Sequence, residues 1–148
     1  MRAVIQRVST ARVIVGSQLV SAVGPGLLVL LGIAVEDGEE QADWLLDKLL
    51  DLRIFENEHG KFDKSLLDVR GDLLVVSQFT LLADMRRGRR PSFAGAAPPE
   101  RAGPLYEHFV ARARARGITV GTGKFGARMS VALTNDGPVT IVLDTRGR

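Results

Sequence analysis

Residues 73–82 read LLVVSQFTLL, a nearly continuous apolar run that is interrupted by Ser77, Gln78 and Thr80. Such a run predicts a buried β-strand over Leu73–Leu82. The three polar residues are unexpected in a buried strand, because an unpaired polar group inside a core lowers the stability of the fold by about 1–3 kcal/mol. Either this end of the strand meets solvent, or it lines a pocket. The stretch therefore predicts the centre of a sheet and, at its end, a candidate site.

The chain before this strand predicts further strands and one helix. Segments rich in Val, Ile and Leu alternate there with glycine-containing turns, which is typical of β-structure. The predicted strands lie around Val4 and over Arg12–Val15, Leu19–Val23 and Leu27–Ile33. A helix follows, because apolar residues then recur with the spacing of one helical face. Its apolar positions are Ala42, Leu45, Leu46, Leu49 and Leu50.

The chain after the strand predicts a polar loop over Asp84–Pro99, a second helix and two closing strands. The apolar face of the helix comprises Ala102, Leu105, Tyr106, Phe109, Val110 and Ala113. The closing strands, about Met129–Thr134 and Val139–Leu143, flank Asn135-Asp136-Gly137-Pro138, a segment typical of a tight hairpin turn. Two long helices and about seven strands predict an α/β fold, in which helices cover one side of a mixed sheet.

Composition places the chain among globular proteins and excludes several kinds of chemistry. With 148 residues, 45% hydrophobic and 25% charged, it has the length of one domain, residues 1–148. Cysteine is absent, which excludes disulfides, thiol nucleophiles and thiolate zinc sites, and suits the reducing cytoplasm. The longest apolar stretch, Leu27–Val35, is too short to span a membrane, so we expect no membrane association.

No metal or cofactor is expected. The two histidines, His59 and His108, are far apart and lie in no known metal-binding spacing. Gly121–Gly126 matches G-x-G-x-x-G, but the dinucleotide-binding motif opens a helix, whereas a further strand is predicted after this match. No serine occupies a G-x-S-x-G turn, so the nucleophile elbow of many hydrolases is not predicted either.

Arginines are clustered in two parts of the chain. Arg86, Arg87, Arg89 and Arg90 lie in the polar loop, and Arg112, Arg114 and Arg116 lie in the second helix. Clustered arginines are typical of surfaces that bind nucleic-acid phosphates. They also occur on solvated loops and helix faces, and charge alone does not distinguish the two interpretations.

Short motifs spread over almost the whole chain occur in an order that one known family shares. They are Ala3–Val8, Gly26–Leu30, Leu52–Phe55, Val75–Leu81 (VVSQFTL), Arg90–Phe93 (RPSF), Phe125–Ala127 with Met129, and Asn135–Thr140 (NDGPVT). With SQFT and NDGPVT as the signatures, the chain resembles the D-aminoacyl-tRNA deacylases of the bacterial and eukaryotic type. Arg128 departs from the pattern, since an acidic residue is expected there.

The resemblance implies a hydrolase that cleaves the ester of a D-amino acid, or of glycine, on tRNA and spares L-amino acids. It implies a homodimer with a three-layer α/β/β fold, in which a cis Gly137–Pro138 bond enters the partner subunit's pocket. Arg7 is then a candidate for holding this turn. The implied catalytic residues are Ser77, Gln78, Phe79 and Thr80, and the implied substrate-binding residues are Gly137, Pro138, Phe125 and Met129.

Two catalytic schemes remain open at the level of sequence. In one, Thr80 is a nucleophile; in the other, backbone amides near Phe79 and Thr80 stabilise the oxyanion while the substrate's 2′-hydroxyl assists. Two other functions also fit parts of the sequence, an RNA-binding module without catalysis and an esterase for small molecules. The first should interleave stacking aromatics with its arginines, which this chain does not. In the second, the arginines have no role and activity does not depend on tRNA.

Overall fold

A 14-residue strand, β1 (Arg2–Val15), is the centre of the fold, and three other strands pair with it. The computed structural model describes residues 1–147. The remaining elements are β2 (Gln18–Val23), β3 (Gly26–Gly32), α1 (Glu39–Leu50), β4 (Phe55–Glu56), β5 (Phe62–Lys64), α2 (Leu66–Val69), β6 (Asp72–Ser77), a 3₁₀ helix (Phe79–Leu82), α3 (Pro99–Ala115), β7 (Val120–Thr122), β8 (Ser130–Asp144) and a second 3₁₀ helix (Thr145–Gly147).

The sheet branches around β1. On one edge, β3 pairs antiparallel with the first half of β1 and β2 with its second half, whereas β8 pairs antiparallel along the opposite edge. β6 is added parallel to β3, and β7 is added parallel to β6. β4 and β5 form a separate two-stranded hairpin. The sheet is therefore mixed, as the sequence predicts.

Two apolar cores lie on opposite faces of this sheet. In the larger core, α1 and α3 bury their apolar faces against strand residues that include Ile5, Val29 and Val75. In the smaller core, Leu28 on β3 packs with Val13 from the second half of β1. The sheet thus folds over itself, because β1 is long enough to contribute to both cores. This is the three-layer α/β/β arrangement that the family resemblance implies.

Both predicted helices are confirmed. All the apolar positions predicted for α1 are buried, and on α3 all are buried except Leu105, which is half-buried. Apolar spacing does not predict the short helix α2, although Ser65 and Asp68 form a reciprocal capping pair at its N-terminus. None of the helices in residues 1–147 is long and apolar enough to cross a membrane.

The strand predicted over Leu73–Leu82 is wrong beyond Ser77. β6 ends there, and residues Phe79–Leu82 form a 3₁₀ helix. The reason is that its parallel partner β3 ends at the same level, where the Gln78 N–H donates to the Leu31 carbonyl at 2.8 Å. Since β3 offers no further carbonyls to an extended chain, the backbone coils and satisfies its hydrogen bonds locally.

The hairpin turn predicted at Asn135-Asp136-Gly137-Pro138 is also wrong. The predicted strands Met129–Thr134 and Val139–Leu143 belong to one strand, β8, because both halves pair with β1 in the same direction. Between the halves the register shifts, and residues 136–139 bulge outward opposite Arg7. Turn-forming residues here produce a bulge because a long partner strand continues on both sides of them.

A row of polar contacts joins α1 to α3 and to Arg116, the residue that follows α3. His108 and Arg112 contact Asp43 at 2.8 and 3.2 Å, and Arg116 contacts Asp47 at 2.8 Å. The hydrogen bond from His108 lowers the pKa of Asp43, and the positive charge of Arg112 acts in the same direction. Two arginines of the helical cluster are therefore engaged within the chain, and this face of α3 is not a purely solvated one.

A buried leucine of α1 supplies a test of the helix–sheet core. Leu45 is 0% exposed, whereas Leu19 on β2 is 61% exposed. Leu45→Ala is expected to lower the free energy of unfolding by about 2–5 kcal/mol, because it leaves a cavity in the core. Leu19→Ala, the same chemical change at the surface, should cost less than about 0.5 kcal/mol. Urea denaturation measures both, and equal losses would contradict this packing.

Candidate active site

A cavity of about 540 Å³ opens where β6 ends, between the sheet and the N-terminal end of α3. Its lining side chains are apolar or neutral and polar. The lining includes five of the residues that the sequence predicts for the site, namely Ser77, Gln78, Phe79, Phe125 and Met129. The other three, Thr80, Gly137 and Pro138, do not line this chain's cavity. Ser77 and Gln78 therefore line a pocket, whereas Thr80 meets solvent, so each of the two explanations applies to part of the polar end of the predicted strand.

The polar edge of the cavity is the first turn of the 3₁₀ helix. The side-chain amide of Gln78 donates a hydrogen bond to Thr80 Oγ1. Within residues 1–147, no acceptor pairs with the backbone N–H of Phe79 or Thr80, because the first amides of a helix have no intrahelical partner. Two unpaired N–H donors therefore begin the helix whose first residue, Phe79, lines the cavity.

Gly32 allows this 3₁₀ helix to pack directly on the end of β3. A Cβ at Gly32 would overlap the side chain of Leu82 and lie 3.1 Å from the carbonyl oxygen of Gln78. Gly32 was not among the site residues predicted from the sequence. An isolated glycine inside an apolar strand is, however, a known signal for close approach of another segment, and it would have identified Gly32.

Tyr106 supports the cavity from behind. Its hydroxyl donates to the Val75 carbonyl at 2.7 Å, and its ring centroid lies 5.9 Å from that of Phe125. Burial raises the pKa of Tyr106 to about 12, so the hydroxyl remains a donor even in strongly alkaline solution. Through this residue, α3 fixes both the strand that leads into the cavity and one of its aromatic walls.

Met129 forms another wall, and its position depends on a glycine. The backbone N–H of Lys124 donates to the thioether sulfur of Met129 at 3.4 Å. A Cβ at Gly123 would lie 2.7 Å from that sulfur, so a larger residue there would displace the Met129 side chain. The G-x-G-x-x-G match that contains Gly123 thus makes room for a side chain. It does not open a helix, because its first two residues belong to β7 and the next element after it is β8.

The mouth of the cavity carries an aromatic pair. Phe79 is 54% exposed, and the ring of Phe93 meets it edge-on, with centroids 5.0 Å apart and an angle of 71° between the planes. Phe93 also lines the cavity and belongs to the RPSF motif, but it was not among the predicted site residues. The arginine-containing loop therefore contributes directly to the wall of the site.

Gly137 and Pro138 are exposed on the bulge of β8, and the peptide bond between them is cis. The buried side chain of Arg7 lies beneath this bulge. Its Nε donates to the Asp136 carbonyl at 2.9 Å, and its guanidinium lies 5.6 Å from the ring centroid of Phe62. Arg7 therefore holds the bulge from within the chain, as the family resemblance implies.

The arrangement suits a ligand with an apolar group next to a polarised carbonyl. The apolar and aromatic walls can bind the apolar group, and the unpaired N–H groups of Phe79 and Thr80 can donate hydrogen bonds to the carbonyl oxygen. Within residues 1–147 there is no group of three or more His, Asp or Glu side chains that could hold a metal ion.

Comparison with known proteins gives a consistent set of relatives. The model of the family described as D-Tyr-tRNA(Tyr) deacylase matches residues 4–144. The D-aminoacyl-tRNA deacylase of Roseiflexus sp. (strain RS-1) is 61% identical, over 98% of this chain and 94% of its own length. That of Thermus aquaticus is 57% identical, over 98% of this chain and 95% of its own length.

Two solved structures share the fold. One, described as "c-Myc DNA Unwinding Element Binding Protein", is 44% identical with a TM-score of 0.92, and the match covers 98% of this chain and 99% of that one. The other, described as "Structural Analysis of a probable eukaryotic D-amino acid tRNA deacylase", is 20% identical with a TM-score of 0.83. That match covers 96% of this chain and 97% of the other.

Gly32→Ala tests whether the 3₁₀ helix depends on close approach to β3. The added methyl group is expected to push the helix outward and to cost about 1–3 kcal/mol, as overpacking usually does. Hydrogen exchange at the Gln78 amide, which donates to Leu31, should accelerate. Gly95→Ala is the control, because no atom lies within 4 Å of a Cβ built there. Unchanged exchange at Gln78 in the Gly32 variant would refute this packing.

Proposed function

The chain belongs to the D-Tyr-tRNA(Tyr) deacylase family, and we propose that its cavity is where the ester bond of D-aminoacyl-tRNA is hydrolysed. Curated relatives named D-aminoacyl-tRNA deacylase match 98% of its length, so this enzyme is a hydrolase that acts on aminoacyl-tRNA. The observation that carries the site proposal is the end of β6, where Ser77, Gln78 and Phe79 meet the cavity beside unpaired N–H groups. We place the enzyme in the cytoplasm, where tRNA is aminoacylated.

The backbone amides supply the main catalytic interaction in this proposal. Hydrolysis of an ester places negative charge on the carbonyl oxygen, and one fixed donor to that oxygen typically contributes about 2.7–4 kcal/mol. We assign this role to the N–H groups of Phe79 and Thr80. An aminoacyl ester is already activated, so modest catalysis is enough. Because the lining side chains are uncharged, we assign assistance of the attacking water to the 2′-hydroxyl of the terminal ribose.

Thr80 positions groups at the polar edge and does not act as a nucleophile in this scheme. A threonine nucleophile needs a base that takes its proton. The partner of Thr80 Oγ1 is the side-chain amide of Gln78, which donates a hydrogen bond and is not a base. Thr80 is exposed and does not line the cavity.

Selection against L-amino acids is assigned to the Gly137–Pro138 bulge of a second subunit. The bulge is exposed and lies outside its own cavity, which supports a role in a partner's site. We therefore propose a homodimer in which each bulge completes the cavity of the other subunit. A rigid wall near the α-carbon excludes an L side chain by steric clash, and glycine, which has no side chain, passes as a substrate.

Matched D- and L-aminoacyl-tRNAs test the proposed activity. The D-aminoacyl and glycyl esters are expected to be hydrolysed, and the L ester at least about 100-fold more slowly, because exclusion by clash discriminates strongly. The rate of release of the free amino acid is the measurement. Ala127→Trp, which fills the cavity, is the negative control. Equal rates on D and L esters would refute the selection, and activity on small esters alone would indicate a different esterase.

Thr80→Ala separates the two catalytic schemes. If Thr80 only positions groups, we expect kcat to fall by about 10- to 100-fold and not to vanish. Single-turnover kinetics on D-aminoacyl-tRNA measure this fall, with Thr80→Ser as the matched variant that keeps the hydroxyl. Trapping of an acyl group on Thr80 in the unmodified enzyme, or complete loss of activity in the alanine variant, would establish the nucleophile instead.

Mixed dimers test the exchange of bulges between subunits. Gly137→Ala should distort the bulge, because the φ of Gly137 is +142° and a Cβ there would lie 2.7 Å from the Val139 side chain. Since each bulge completes the other subunit's cavity in this proposal, the distortion is expected to misshape that cavity for D substrates as well. Ala127→Trp should block the cavity. A heterodimer of the two inactive variants is expected to regain about half of normal activity, since one open cavity then receives an intact bulge. Heterodimers as inactive as both parents would show that each bulge serves its own subunit.

A further inference from the structure

The arginines of the loop between the first 3₁₀ helix and α3 are not equivalent. Arg86 forms a bidentate pair with Asp84, at 2.6 Å for the shortest contact. Hydrogen bonds from the Arg86 side chain lower the pKa of Asp84 to about 2. Arg86 therefore already has an acidic partner within the loop, although the pair is exposed to solvent.

The remaining arginines of the loop form what we call the arginine tip, which is Arg87, Arg89 and Arg90. All three are exposed, and within residues 1–147 no ion pair or hydrogen bond engages their guanidinium groups. Gly88, with a φ of +74°, turns the chain between them. The tip thus concentrates positive charge on one short turn, and no acidic group among residues 1–147 forms an ion pair with it.

The second arginine cluster contrasts with the tip. Arg112 and Arg116 pair with Asp43 and Asp47 of α1, as described above. The guanidinium of Arg114 donates to the Val120 carbonyl at 3.3 Å. From the sequence, both clusters are candidates for phosphate binding. The structure favours the tip for this role, because the arginines of the second cluster already have partners within the chain.

The base of the loop ties the tip to the cavity. Asp84 and Ser92 exchange two backbone hydrogen bonds, of 2.8 and 3.0 Å, and so close the loop. The next residue, Phe93, lines the cavity and contacts Phe79 at its mouth. Further along, the Ala97 N–H donates to the Ile33 carbonyl at 2.9 Å, beside the end of β3. The base of the loop is therefore anchored beside the cavity, and the tip lies on the same short segment as one of the cavity's walls.

We propose that the arginine tip binds backbone phosphates of the tRNA acceptor stem while the aminoacyl ester occupies the cavity, an inference that rests on the proposed function. Guanidinium groups bind phosphates in a bidentate manner, and each neutralised phosphate releases condensed counterions. The contact carries no base specificity, so the tip strengthens binding of every tRNA. The ester is then selected separately, in the cavity.

The test compares two substrates with and without the tip. One is D-aminoacyl-tRNA; the other is a D-aminoacylated CCA trinucleotide, which has the ester but no acceptor stem. The test variant combines Arg87→Gln, Arg89→Gln and Arg90→Gln, and the matched control combines Arg112→Gln with Arg116→Gln. KM and kcat are measured over a range of salt concentrations, and thermal unfolding shows whether each variant is folded.

The tip variant is expected to raise KM for tRNA about tenfold at low salt, with kcat unchanged. If about three phosphates are contacted, the slope of log affinity against log salt should become less negative by about 2–3. Both variants should act on the trinucleotide like the unmodified enzyme, and the control should keep the normal slope on tRNA.

Three results would overturn the proposal. They are an unchanged KM and slope for tRNA in the tip variant, loss of the slope in the control, and an equal loss on both substrates in the tip variant. Binding of each variant to duplex DNA is measured in parallel to interpret the first of these results: an unchanged KM for tRNA with a loss of affinity for DNA would make the tip a DNA-binding surface. Failure of the proposed function is distinct, because the unmodified enzyme would then hydrolyse neither substrate.

Discussion

The active site depends on the point at which the parallel pairing of β3 and β6 ends. Gln78 makes the last hydrogen bond of this pair, to the Leu31 carbonyl. Beyond it, Gly32 leaves room for the chain to coil against β3 as a 3₁₀ helix. This change from strand to 3₁₀ helix produces the polar edge of the cavity and places Phe79 at its mouth. It also leaves the backbone N–H groups of Phe79 and Thr80 without partners. If β3 and β6 had both continued as paired strands, those N–H groups would have been used in the hydrogen bonds of the sheet.

The long strand β1 imposes the second constraint. Its pairing with β8 continues on both sides of residues 136–139, so these residues have to leave the plane of the sheet. Asn135 closes the bulge by accepting the Val139 N–H at 2.8 Å, and Arg7 fills the space beneath it. The chain thereby presents Gly137 and Pro138 outward on a well-supported segment. In our proposal that segment completes the site of a second subunit, so one fold provides both a catalytic edge and a selective wall.

How much of this was predictable differs from one element to the next. Both long helices follow from apolar spacing, and the polar residues of SQFT indicated a pocket because core positions rarely tolerate them. The end of β6 was not predicted because it depends on where β3 ends. The bulge was not predicted because a segment of turn-forming residues does not show that a long partner strand continues beside it. Likewise, the pairing of Arg112 with Asp43 joins two helices that are distant in sequence. These features depend on contacts between distant segments, which local patterns do not contain.

The most direct test of the account is a crystal structure with a D-aminoacyl-adenosine whose ester is replaced by an amide. We expect the amino acid to lie in the cavity, with its carbonyl oxygen about 3 Å from the backbone nitrogen of Phe79 or Thr80. We also expect the Gly137–Pro138 bulge of a second subunit to contact the α-carbon. Binding outside this cavity, or in it with neither N–H directed at the carbonyl, would contradict the central claim.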